Sequence, residues 1–149
     1  MFKGLLLLVL MHALTVSADS SRVIPMVKHK SATFYVGVTI GDLPSKEFVI
    51  DTGASHVTIS RKTLQKLLNK KQASFVRSMK GILANGASIN VPVYKISSLN
   101  IGGGCQFKNV EVAVIEKDVR GVLGLSVLNR AAPFTFSVDP PRLQLSNCT

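Results

Sequence analysis

A carboxylate stands at the end of an apolar run in the segment FVIDTGASHVTIS, residues 48–60. Three apolar residues lead directly into Asp51, and the small, flexible run Thr52-Gly53-Ala54-Ser55 follows it. A carboxylate at the end of a buried strand costs free energy unless it is paired or used. When two carboxylates lie close together they share one proton, so one is a base toward water and the other an acid toward a carbonyl oxygen. The segment predicts that Asp51 is catalytic in such a pair.

Other chemistries fit the residues around Asp51 less well. An aspartyl-phosphate enzyme needs groups that neutralise phosphate, and no lysine adjoins Asp51. A phosphate-binding glycine loop is not indicated either, because Gly102-Gly103-Gly104 is followed by Cys105 rather than by the Gly-Lys-Ser/Thr ending. His29 and His56 lie in no nucleophile-elbow context, which argues against a Ser-His-Asp triad.

Alternating apolar residues predict the elements that position Asp51. TFYVGVTIG (residues 33–41) and KEFVID read as two strands of a hairpin that ends at Asp51. HVTIS continues as a short strand, and Ser60 is the predicted N-cap of a helix through Asn69. Further strands are predicted on both sides of Asn85-Gly86, at KNVEVAVIE, in RGVLGLSVLNR before a short helix, and at FTFSV and RLQLS. The expected fold class is mostly β, a barrel or sandwich with one or two short helices.

Three motifs in this order resemble the retropepsin-like, single-domain aspartic proteases, including the bacterial exported members. The run Asp51 to Ser55 is similar to the family's active-site loop. Ile82-Leu83-Ala84-Asn85-Gly86 resembles the flap hairpin that closes over substrate. Gly121-Val122-Leu123-Gly124, followed by Leu125-Ser126-Val127-Leu128, resembles the strand and helix that support the catalytic loop. The resemblance covers residues 33–145.

This resemblance implies a retropepsin-like closed β-barrel or sandwich and an aspartic endopeptidase that acts on polypeptides. It also implies that no cofactor or metal is required. Asp51 is then the catalytic residue within the active-site loop, and the flap residues Leu83, Ala84, Asn85 and Gly86 contact the substrate.

The chain supplies only one half of the predicted carboxylate pair. None of the other acids that follow the initial segment precedes Thr-Gly or Ser-Gly; they are Asp19, Asp42, Glu47, Glu111, Glu116, Asp118 and Asp139. The second carboxylate is therefore expected to be Asp51 of another copy, in a homodimer with two-fold symmetry. A non-catalytic binding module that keeps the same fold is the alternative.

The two ends of the chain carry processing and cross-linking signals. Residues 1–18 have a lysine, an apolar stretch and a small-residue cleavage site, which predicts a signal peptide and export to the periplasm or outside the cell. If this segment is retained, it is a membrane anchor, and the protein is a tethered regulatory protease. Residues 19–32 are expected to form an N-terminal extension, and residues 33–149 the protease domain.

In an exported chain, Cys105 and Cys148 indicate a disulfide. Free thiols and a bridge between two chains are the alternatives. A zinc site is not indicated, because the two cysteines are far apart in the sequence and no histidine pair lies near them.

The formal net charge of +10 is partly concentrated in RKTLQKLLNKK, residues 61–71. A solvated helix face is the favoured interpretation, and weak association with an anionic membrane surface is the alternative. Basic and stacking aromatic residues do not alternate, so no nucleic-acid site is predicted.

Overall fold

The computed structural model describes residues 21–30, 32–83 and 85–148. The secondary-structure elements of these residues are β1 (Arg22–Pro25), β2 (Val27–Lys28), β3 (Phe34–Ile40), β4 (Lys46–Ile50), β5 (Val57–Ser60), α1 (Arg61–Asn69), β6 (Ala73–Ile82), β7 (Ser88–Ile101), β8 (Cys105–Ile115), β9 (Gly121–Leu123), α2 (Leu125–Leu128), a 3₁₀ turn (Asn129–Ala131), β10 (Phe134–Val138) and β11 (Pro141–Leu145). The predicted mostly β fold class with two short helices is confirmed.

The main sheet has eight strands in the order β2-β3-β4-β9-β5-β8-β7-β6. β3 also pairs with β7 along Val38–Ile40, so the sheet curls back on itself into a barrel. A second sheet, in the order β1-β11-β10, covers one end. Alternating residues of the strands fill the interior, and Phe107, Leu99 and Leu123 are among the largest side chains that are fully buried there.

Helix α1 begins and ends where the sequence predicts. The Ser60 hydroxyl accepts a hydrogen bond from the Thr63 backbone N–H at 3.2 Å, which satisfies one of the free donors of the first turn. Leu64 and Leu67 are buried on the inner face. The basic side chains of the helix are exposed, and two of them meet carboxylates in the pairs Arg61–Glu116 and Lys62–Asp118. Lys70, directly after the helix, pairs with Asp42.

Strands also occur before residue 33, within the segment expected to be an N-terminal extension. β1 pairs antiparallel with β11, and β2 pairs antiparallel with β3. Within that segment, residues 22–25 and 27–28 are therefore part of the two sheets. The predicted signal peptide, residues 1–18, lies outside the described residues. Over the described parts of the chain, no helix is long and apolar enough to cross a membrane.

A disulfide joins Cys105 to Cys148 within one chain, with an S–S distance of 2.08 Å. Cys105 is fully buried at the start of β8, whereas Cys148 lies three residues beyond β11. The bond thus fixes the last described residue of the chain to the barrel wall.

Candidate active site

The order of three strands places the loop that carries Asp51. β9 lies between β4 and β5, parallel to β4, so residues 51–56 must cross the end of β9 to connect its two neighbours. Two backbone hydrogen bonds hold this crossing. The Asp51 N–H donates to the Leu123 carbonyl at 3.2 Å, and the Leu125 N–H donates to the Ala54 carbonyl at 2.8 Å. We call residues 51–56 the aspartate loop.

Gly124 allows the aspartate loop to rest directly on the turn between β9 and α2. A Cβ atom at this position would lie 2.3 Å from the His56 carbonyl oxygen and 2.7 Å from that of Ala54. Ser126, two residues further on, accepts a hydrogen bond from the Val57 N–H at 2.9 Å and donates to the Glu111 carbonyl at 3.1 Å. The segment predicted to support the loop therefore contacts it through backbone and side-chain atoms.

The Asp51 carboxylate is oriented by its own loop. Its Oδ1 accepts a hydrogen bond from the Gly53 N–H at 2.8 Å, and the Ala54 N–H approaches the Asp51 carbonyl at 3.3 Å. Both Asp51 and Thr52 are exposed. Among the described residues, no side chain bonds to the Asp51 carboxylate or to the Thr52 hydroxyl.

The β6–β7 hairpin forms the arm that faces the aspartate loop. Its tip closes through hydrogen bonds from the Leu83 N–H to the Ala87 carbonyl at 2.9 Å and from the Gly86 N–H to the Leu83 carbonyl at 2.8 Å. The Asn85 side chain accepts from the Ala87 N–H, and Gly86 has a φ of +81°, which glycine adopts without strain. The hairpin predicted from Asn85-Gly86 is confirmed, and Ala84 lies outside the described residues.

A cleft of about 400 Å³ lies between the arm and the aspartate loop. Its described lining residues are Gly53, Ala54, Ser55, His56, Thr58, Met79, Lys80, Gly81, Ile82, Leu83, Ile89, Val91, Ala113 and Ile115. Of the predicted site residues, Gly53, Ala54, Ser55 and Leu83 thus meet in one cleft. Asn85 and Gly86 form the exposed turn beyond it.

A polar network that the sequence did not predict lies beside the cleft. The Ser55 hydroxyl is 3.1 Å from His56 Nδ1, and His56 Nε2 is 3.9 Å from Glu111 Oε2. Arg77 Nη2 lies 2.8 Å from the same oxygen of Glu111, and this hydrogen bond is the main reason that the pKa of Glu111 is lowered. No sequence signal identifies the network, because its members come from the loop, β6 and β8.

The described residues contain no cluster of three or more His, Cys, Asp or Glu side chains that could hold a metal ion. The polar groups around the cleft are instead one oriented carboxylate, backbone N–H groups and the network of Ser55, His56, Glu111 and Arg77. This arrangement can position and polarise a bound peptide, while the apolar lining holds its side chains.

Comparisons with known proteins agree with this geometry. Residues 36–127 match the sequence profile of a family described as "Aspartyl protease". Among solved structures, a retropepsin-like aspartic protease from Rickettsia conorii is similar in fold, with a TM-score of 0.62 and 22% sequence identity over 89% of this chain and 96% of that one. A search of curated protein sequences finds no match.

Proposed function

The chain belongs to the aspartyl protease family, and on this premise we propose that it is an endopeptidase whose active site is shared between two copies. Asp51 of each copy supplies one carboxylate of the catalytic pair. The pair shares one proton, so the ionised member accepts a proton from water and the protonated member polarises the peptide carbonyl. Attack of this water forms the C–O bond as the carbonyl π bond opens, and the protonated aspartate gives its proton to the carbonyl oxygen. The C–N bond of the resulting tetrahedral intermediate then breaks as the proton taken from water is passed to the leaving nitrogen.

The observation that carries this proposal is Asp51 itself, the single acid of the aspartate loop, which is exposed and forms no ion pair within the described residues. Five of the other described acids form ion pairs with basic residues, namely Asp42, Glu47, Glu111, Glu116 and Asp118. Glu111 lies beside the cleft, where its carboxylate is already bound by Arg77. The sixth, Asp139, lies in the turn between β10 and β11. One copy therefore supplies, among its described residues, a single candidate for a dyad that needs two.

The exposed face of the aspartate loop also supports a two-fold arrangement. Asp51 and Thr52 are both exposed, whereas the backbone beneath them is fixed by Leu123 and Leu125. A second copy could therefore approach without disturbing the bonds that orient the loop. The Thr52 hydroxyl is then available to bind the opposite loop.

The proposed substrates are polypeptides bound in an extended conformation. The cleft is lined mainly by apolar residues of β6, β7 and β8, which suit the side chains of a peptide strand laid under the arm. We also propose that the protein is exported, because the Cys105–Cys148 disulfide is of the kind that persists in oxidising compartments.

The first experiment compares wild type with Asp51→Asn on a peptide library. The variant should fold and dimerise but lose turnover by about a thousandfold or more, because an amide cannot accept the proton of water. Asp139→Asn is the matched control, since it removes an exposed carboxylate from the β10–β11 turn, which is not part of the cleft lining. Equal turnover by Asp51→Asn, prepared free of host protease, would refute a catalytic Asp51.

A mixing experiment tests the shared site. Wild-type chains are allowed to exchange with a ninefold excess of Asp51→Asn chains, so that most wild-type chains pair with an inactive partner. Activity per wild-type chain should fall by about tenfold if each active site needs two copies of Asp51. Mixing with Asp139→Asn should leave it unchanged. A monomer with a complete site would show no loss in either mixture.

A further inference from the structure

The Glu111 side chain lies between the arm and the aspartate loop. Its Oε2 atom accepts a hydrogen bond from Arg77 Nη2 of β6 at 2.8 Å and lies 3.9 Å from His56 Nε2. On the other side of the His56 ring, Nδ1 is 3.1 Å from the Ser55 hydroxyl oxygen. β7 separates β6 from β8, so the Arg77–Glu111 pair joins two strands that are not neighbours in the sheet.

The backbone of Glu111 holds the same end of the loop. Its carbonyl oxygen accepts a hydrogen bond from the Ser126 hydroxyl, whose oxygen accepts one from the Val57 N–H directly after the loop. The other end of the loop is anchored separately, since the Asp51 N–H bonds to the Leu123 carbonyl. Glu111 therefore acts on the C-terminal end of the loop rather than on the Asp51 carboxylate.

The strand register places this network on the cleft face of the sheet. Side chains alternate between the two faces of a strand, so residues two apart share a face. Arg77 is two residues from Met79 on β6, and Glu111 is two residues from Ala113 on β8. Met79, Ala113 and His56 all line the cleft. The network therefore adjoins the groove in which a peptide would lie.

We propose that Glu111 is a positioning residue of the cleft, which holds the arm through Arg77 and the C-terminal end of the aspartate loop through His56. This proposal rests on the proposed peptidase function and adds to it a residue that touches no reacting atom. Cleft walls that are fixed before binding lower the entropy cost of binding, so the main effect of Glu111 is on the affinity for peptide. The chemical step depends instead on the Asp51 carboxylate, which the Gly53 N–H orients.

An ion pair with no influence on binding is the alternative, since such pairs contribute little at a solvated surface. Two observations favour the positioning role. The His56 side chain is only 17% exposed, so the loop end of the network is packed rather than surrounded by solvent. The carboxylate also stays charged in mild acid, because its hydrogen bond with Arg77 lowers the pKa of Glu111. The charged groups that face it are Arg77 from β6, Lys95 from β7 and His56 from the loop, and all three are basic.

The kinetic test compares wild type with Glu111→Gln on an octapeptide that has two apolar residues at its centre. KM should rise by about tenfold, whereas kcat should change by less than about twofold. Glu116→Gln is the matched control, because it removes another Arg–Glu pair with the same change in net charge, and Glu116 does not line the cleft. Arg77→Lys keeps a cation beside Glu111 and should retain most of the affinity that Arg77→Met loses. An unchanged KM in Glu111→Gln would overturn the proposal, and so would a fall in kcat at least as large as the rise in KM.

A binding measurement without turnover separates this proposal from the catalytic one. The same octapeptide, labelled with a fluorophore, is titrated against the whole Asp51→Asn chain, and anisotropy reports its affinity. Adding Glu111→Gln should weaken binding by about tenfold, and adding Glu116→Gln should not. Weaker binding supports the positioning role even if wild type cleaves no peptide. Equal affinity contradicts it even if Asp51-dependent cleavage is observed.

Hydrogen exchange in the peptide-free protein tests the coupling itself. The amides of residues 55–57 should exchange about tenfold faster in Glu111→Gln. They should also exchange faster in Arg77→Met, although Arg77 bonds to Glu111 rather than to the loop. In the double variant the rate should equal that of Glu111→Gln alone, because both substitutions break one network. Additive effects, or loop amides that exchange in Arg77→Met as they do in wild type, would refute the coupling.

Discussion

The contact between Gly124 and the aspartate loop leads to a sharp prediction for Gly124→Ala. Gly124 has φ −100° and ψ −175°, an extended conformation that any residue adopts, so the substitution adds no backbone strain. Its effect comes from one methyl group placed 2.3 Å from the His56 carbonyl oxygen and 2.7 Å from that of Ala54. Both partners are backbone atoms, which cannot turn aside as a side chain does.

The size of the effect follows from these distances. Restoring an ordinary contact requires the loop and the turn to separate by about 1 Å, and overpacking of this kind typically costs about 1–3 kcal/mol of unfolding free energy. For a domain of this size the melting temperature should fall by roughly 3–12 °C. A displacement of about 1 Å at a catalytic group can also lower turnover by about a hundredfold. Activity should therefore fall further than the loss of folded protein explains.

The assay measures thermal unfolding and peptide hydrolysis at a temperature where both variants are folded. Gly104→Ala is the matched control, because its Cβ would lie 3.6 Å from the Arg22 side chain, which is an ordinary contact. It should change neither quantity appreciably. If Gly124→Ala melts within about one degree of wild type and keeps most of its kcat/KM, the close packing of the loop on Gly124 does not hold the site.

Three further predictions concern the disulfide, the loop and the polar network. Cys148→Ser should lower the unfolding free energy by about 4 kcal/mol in the chain-entropy model; finding both thiols of wild type freely alkylated would contradict this. Ala54→Thr should move the acidic limb of kcat/KM to lower pH, because an added hydroxyl can donate to the ionised form of the proposed dyad and stabilise it. An unmoved limb, with the proposed dimer intact, would show that Ala54 does not set the pH range. Arg77 lowers the pKa of Glu111, so the pair stabilises the fold at pH values above the pKa that Glu111 has in the unfolded chain. This stabilisation is lost as pH falls through the lower pKa that Glu111 has in the folded protein. The melting temperature should therefore drop more between pH 5 and 3 in wild type than in Glu111→Gln, and parallel curves would show that the pair contributes nothing.

A strand with one buried and one more exposed face is predictable from its sequence. In β3, Val36, Val38 and Ile40 are buried at alternate positions, and this period is visible in the sequence. Helix α1 was predictable because Ser60 is a strong N-cap and leucines recur on one face. The Asn85-Gly86 turn was predictable because its second residue requires positive φ.

The first half of β6 could not be predicted in the same way. Phe75 and Val76 are adjacent apolar residues and both are exposed. Buried and exposed residues therefore do not alternate in this part of the strand, and the sequence lacks the alternation that would predict it. β1 and β2 are short and mostly exposed, and only their pairing with β11 and β3 makes them strands. The network around Glu111 depends on the register of β6 and β8, which local sequence does not specify.

The insertion of β9 between β4 and β5 also sets the order in which the chain can assemble. β4 and β5 are separated by only six residues, yet the groups that orient the loop between them, at Leu123 and Leu125, follow roughly seventy residues later. Contacts of such long sequence separation slow folding, because the entropy of closing a long loop opposes them. A nascent chain therefore leaves the ribosome with its Asp51 segment unanchored until almost the whole barrel has been synthesised. The aspartate loop can thus gain its two anchoring hydrogen bonds only after the chain has been synthesised as far as Leu125.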